Sequence, residues 1–121
     1  PLQKAVSLAP SATPIRALYG QALVGAGDPA SAKQAVTELN RVVQTDPDDA
    51  TAFRFLAMAY GAQGQTAMAD LATARGMAAQ GLLKQASHYA QRAKMGLKMG
   101  TPAWLQADDL VTRPSSKSGK N

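Results

Sequence analysis

The 121-residue chain has no cysteine, which removes disulfides and thiol catalysis without identifying a compartment. Aromatic residues are scarce at 5%, with one tryptophan, Trp104, and histidine occurs once, at His88. One histidine cannot supply the converging ligands of a zinc hydrolase, and no His-Glu-x-x-His is present. Lying between Lys84 and Arg92, His88 reads as a surface residue. No apolar stretch reaches the ~18 residues of a membrane span, and no signal-peptide pattern opens the sequence. Runs of strand formers are missing. Glycines are scattered rather than clustered into a phosphate loop. The carboxylate groups Asp46, Asp48, Asp49 and Asp108, Asp109 have no histidine or calcium-loop pattern beside them, and capping of helix ends explains them. No catalytic, cofactor-binding or metal-binding residue is expected in this chain.

What is present favours helix. The sequence is 45% hydrophobic, but much of that is alanine, which buries little area and suits thin layers of closely packed helices rather than one large core. The formal charge is +5, three of the cations (Arg113, Lys117, Lys120) standing in the closing segment TRPSSKSGKN. Between Asp70 and Asp108 there is no acid, while Arg75, Lys84, Arg92, Lys94 and Lys98 all occur. Lys84, Arg92, Lys94 and Lys98 define a candidate basic face, either a solvated helix surface or a contact for nucleic acid or anionic lipid.

Helical spacing recurs along the sequence. Helices are expected over 14–26, from about 31 to the TDPDD segment, over about 49–62, 66–80 and 83–98, and over a short last piece holding Trp104, Leu105 and Leu110. Short connections make sequential helices antiparallel neighbours. Gly64 and Gly81 each close a helix and stand 17 residues apart, half of the 34-residue tetratricopeptide (TPR) period. Pro10 and Pro47 stand 37 apart, a step that places a small insertion at GAGDPAS. Phe53, Leu56, Ala57, Tyr60, Gly64 and Ala69 follow the TPR hairpin pattern, small residues letting helix backbones approach while rings fill the wedge between hairpins. The expectation is an all-α, TPR-type antiparallel helix-hairpin solenoid over 13–111, with a terminal capping helix that Trp104 seals. Residues 1–12 read as the end of a truncated preceding repeat, so that the chain is a piece of a longer protein, and 112–121 as a basic flexible tail.

In that register the stacked first helices expose Gln21, Arg54, Phe55, Met58 and Arg75 along a concave groove. Phe55 points away from the buried Phe53 face, either into the groove as a recognition ring or against the neighbouring hairpin.

The segments LAPSATPIRALYGQALVGAGDPAS, DPDDATAFRFLAMAYGAQGQTAMADLATA and GTPAWLQADDL are more specific than a generic TPR. Over roughly residues 5–111 the sequence resembles the C-terminal TPR region of bacterial periplasmic zinc metallopeptidases, the BepA-like relatives of HtpX and the CAAX-prenyl proteases. The resemblance implies a periplasmic or envelope location and a parent protein whose separate catalytic domain carries His-Glu-x-x-His and zinc. It further implies a non-catalytic TPR arm that engages a peptide, a partner protein such as outer-membrane assembly machinery, or the parent's own protease domain. None of the catalytic residues is in this chain. Two other readings remain: a free-standing TPR scaffold or adaptor of an envelope complex, and a basic helical module binding nucleic acid or anionic membrane.

Overall fold

A computed structural model describes residues 28–120 without interruption, and before them Gly20, Ala22, Leu23 and Gly25. Among these residues the protein is all-α, as expected: α1 Pro29–Thr45, α2 Ala50–Ala62, α3 Thr66–Ala79, α4 Leu83–Gly96 and α5 Pro102–Lys120. Residues 1–12, Gln21 and most of the helix expected over 14–26 lie outside the described residues.

Each helix start has a local cause. The Asp28 carboxylate accepts the Ser31 N–H at 2.9 Å, and Pro29 occupies the first turn of α1, where its missing N–H costs nothing. Asp28-Pro29 therefore opens a helix, two residues earlier than the sequence suggests. Asp49 Oδ1 accepts the Ala52 N–H at 3.0 Å and starts α2. Thr101 Oγ1 accepts the Trp104 N–H at 3.3 Å and starts α5.

The turns into α3 and α4 have no capping hydrogen bond from a side group and match each other bond for bond. Gly64 and Gly81 have φ of 75° and 80°. The Gln65 N–H donates to the Tyr60 carbonyl and the Leu82 N–H to the Met77 carbonyl, both at 2.9 Å. The Gly64 N–H donates to the Gly61 carbonyl and the Gly81 N–H to the Ala78 carbonyl, both at 3.0 Å. These are the two bonds of a Schellman C-cap, whose left-handed residue is glycine because a Cβ is penalised there.

Helix α5 is longer than the short closing piece expected, with helical backbone to Lys120. Asp108 and Asp109 therefore stand inside a helix rather than capping its end. The helix passes 112 with Thr112 Oγ1 donating back to the Asp108 carbonyl at 3.1 Å.

Sequential helices pack as neighbours, and α5 also returns to α3. Two clusters form the core. The first joins α1, α2 and α3 through Leu39, Val42, Phe53, Leu56, Tyr60 and Ala72. The second joins α3, α4 and α5 through Leu71, Ala74, Ala90, Ala93, Ala107 and Leu110. Helix α3 serves both clusters, which explains why it is built almost wholly of small residues: each face must admit another helix. A Cβ on Gly76 would lie 3.0 Å from Phe53 Cβ, and one on Gly96 would lie 2.9 Å from Ala67 Cβ. Those approaches leave no room for larger residues at the crossings.

Candidate functional site

Helices α2 and α5 both pack on α3 but not against each other. The space between them is a groove with α3 as its floor. One part is a cavity of about 390 Å³ lined by Pro47, Asp48, Phe53, Arg75, Ala78, Ala79, Gln106, Asp109 and Leu110. The adjoining part is a cavity of about 230 Å³ lined by Asn40, Leu56, Tyr60, Met68, Leu71, Ala72, Arg75, Pro102, Ala103 and Gln106. Arg75 and Gln106 line both, so Arg75 stands at the middle of the groove.

The Arg75 guanidinium is half-buried and lies 4.6 Å from the centroid of the Phe53 ring, a cation–π contact that orients the fork without neutralising it. It has no carboxylate partner within ion-pair distance among the described residues. Burial pushes its pKa below the ordinary arginine value, with the nearby Tyr60 acting in the opposite direction. The group stays charged, because arginine keeps its proton in proteins. Tyr60 is 9% exposed, and its hydroxyl oxygen accepts a hydrogen bond from Asn40 Nδ2 at 3.4 Å. A buried apolar wall with a few convergent polar groups is the usual form of a binding site.

The residues singled out from sequence do not form one site. Arg54 and Met58 line a separate cavity of about 300 Å³ with Thr73, Gly76 and Met77, on the face of α3 opposite Arg75. Met58 is 51% exposed there. Phe55 packs half-buried against the first core cluster, with the Arg54 guanidinium 5.8 Å from its ring centroid. Gln21 lies outside the described residues. Nothing in the sequence marks Asn40, Tyr60 and Gln106 as site residues; Asn40 borders the apolar stripe between Leu39 and Val43, the one local hint available.

The basic face is partly neutralised. Arg92 Nε lies 3.7 Å from Asp70 Oδ2, and Lys94 Nζ lies 2.7 Å from Asp108 Oδ1. The two acids that bracket the acid-free stretch fold back onto its cations. Lys94 Nζ also lies 4.7 Å from the Trp104 centroid, covering that half-buried ring near the end of the helix array. Lys84 and Lys98 are exposed, as is His88, whose ring meets Tyr89 edge-on at 5.5 Å. No helix among the described residues is long and apolar enough to cross a membrane. Among the same residues no group of three or more His, Cys, Asp and Glu could hold a metal ion.

The comparisons give no relative. No family model matches the sequence, and no curated protein or solved structure does so.

Proposed function

We propose that the protein is a non-catalytic interaction module of the TPR type, the regulatory arm of an exported zinc metallopeptidase of the BepA-like class. The observation that carries the repeat reading is the pair of matching turns at Gly64 and Gly81. The same backbone bonds recur 17 residues apart, half of one TPR period. Ala59, Gly76 and Ala93, spaced by the same step, are all buried. The peptidase context rests on the residue resemblance, above all DPDDATAFRFLAMAYGAQGQTAMADLATA and GTPAWLQADDL.

In this reading the groove between α2 and α5 receives a segment of a partner protein, of a peptide, or of the parent's own protease domain. Zinc would belong to that catalytic domain, as the resemblance implies. A free-standing envelope adaptor would use the same groove. The nucleic-acid or membrane-surface reading has less support, because Arg92 and Lys94 already meet Asp70 and Asp108.

The test is the reading frame upstream of Pro1. A signal peptide followed by a helical His-Glu-x-x-His and a downstream glutamate supports the peptidase arm. An upstream frame encoding only further helical repeats overturns it in favour of the adaptor.

A further inference from the structure

We propose that Met95 and Met99 form a site of reversible oxidation, where a peroxide converts each thioether to its sulfoxide without loss of the fold. The two stand in a duplicated triplet, Lys94-Met95-Gly96 and Lys98-Met99-Gly100. Met95 belongs to the last turn of α4 and Met99 to the turn that leads into α5. They are 87% and 77% exposed, more than any other large hydrophobic residue among those described. Neither joins a core cluster. Methionine ordinarily fills irregular gaps in a core, but the buried face of α4 is made by Ala86, Ala90 and Ala93. These two thioethers therefore contribute little to packing and stand open to whatever the solvent carries.

The other methionines supply the contrast. Met68 packs, partly buried, against both core clusters, and Met77 is also partly buried. Oxidation puts a polar S=O where a soft apolar sulfur stood. Around Met68, beside Leu56 and Leu71, that oxygen would lose water partners at a cost in stability. At Met95 and Met99 water meets it. The chain has no cysteine, so no thiol within it competes for the oxidant.

In the forward step a sulfur lone pair attacks one peroxide oxygen and the O–O bond breaks. The departing hydroxide takes up the proton left on the transferred oxygen, so the products are sulfoxide and water. Sulfur loses two electrons and the peroxide gains them. In the return step a dithiol supplies two electrons and two protons: the sulfoxide oxygen leaves as water, the dithiol becomes a disulfide, and the thioether is restored.

The test treats the intact protein with hydrogen peroxide and follows each methionine by tryptic digestion and tandem mass spectrometry. Cleavage after Lys94 and Lys98 places Met95 and Met99 in separate peptides. Both should oxidise at least about tenfold faster than Met68 and Met77, with Met58 between them. Protein stopped when only Met95 and Met99 are modified should keep its circular dichroism, and its melting temperature should stay within about 3 °C of the parent. Methionine sulfoxide reductases, one for each sulfoxide epimer, should restore both thioethers in the presence of a dithiol. M95L/M99L should fold like the parent and take its first sulfoxide at Met58. Oxidation of Met68 as fast as Met95 and Met99 overturns the proposal. Unfolding of protein modified only at Met95 and Met99 also overturns it, as does failure of the reductases to restore them. None of these outcomes touches the peptidase arm, which the upstream reading frame decides separately.

Discussion

Adding one methyl group at Gly76 should destabilise the protein, whereas the same addition at Gly61 should stabilise it. Both glycines lie in helices, where alanine is favoured over glycine by about 1 kcal/mol. At Gly61 a Cβ meets nothing within 4 Å, so Gly61→Ala keeps most of that gain, roughly 0.5–1 kcal/mol. At Gly76 the new Cβ lies 3.0 Å from Phe53 Cβ and 3.7 Å from the Ala50 carbonyl oxygen. Carbon atoms pack best at about 3.5–4.0 Å, and Phe53 Cβ is fixed to its backbone and cannot rotate away. Helices α2 and α3 must therefore part by several tenths of an ångström, loosening Phe53, Leu56 and Ala72 together. Overpacking of this kind costs about 1–3 kcal/mol, which outweighs the helical gain and leaves a net loss of about 1 kcal/mol. For a domain of this size the two variants should differ in melting temperature by roughly 10 °C. Thermal and urea unfolding followed by far-ultraviolet circular dichroism reads this directly. If both variants melt above the parent by the same amount, α2 and α3 do not approach as described, and the role assigned to small residues at this crossing is wrong.

Three further outcomes follow from the same geometry. Gly64→Ala and Gly81→Ala should each lose about 1–2 kcal/mol in urea unfolding, and by similar amounts because the two turns share their bonds; a large loss at one and none at the other would break their equivalence. The hydrogen bonds from Ser31 hold the Asp28 carboxyl below its ordinary pKa, so its contribution is complete above the ordinary carboxylate range and is lost as pH falls through the folded value. D28N should therefore flatten the acid dependence of amide exchange in the first turn of α1, and an unchanged acid limb would argue against the cap. A double-mutant cycle on Lys94→Met and Asp108→Asn should return a coupling of about 0.2–1 kcal/mol that shrinks in high salt; no coupling at low salt would mean that the pair does not join α4 to α5.

Much of the helical architecture is legible along the sequence. The apolar spacing of Leu39, Val42, Phe53, Leu56, Ala86, Ala90 and Ala93 marks buried faces, and all seven are buried. Gly64 and Gly81 mark helix ends because a left-handed residue is needed there. The length of α5 is not legible, since Asp108-Asp109 resembles a capping pair in sequence, whereas Asp108 meets Lys94 across a helix interface. Leu105 looks like a core residue by type yet is 53% exposed. The groove is the least legible part. Arg75 stands out in the sequence, but its neighbours Tyr60, Asn40 and Gln106 come from three other helices, and no local pattern brings them together. Arg54 and Met58 have groove-like spacing, but α3 separates their face from that of Arg75. Which face becomes a groove is decided by α5 returning to α3, a contact between distant segments that periodicity along one helix does not encode.

The most direct measurement is to select a random peptide library on the intact protein and map the strongest peptide by amide chemical shifts. The groove reading predicts perturbations at Phe53, Tyr60, Arg75 and Gln106, on three helices that meet only in the fold. Perturbations gathered instead at Lys84 and Lys98, or at Arg54 and Met58, would contradict it, as would a library that yields no binder.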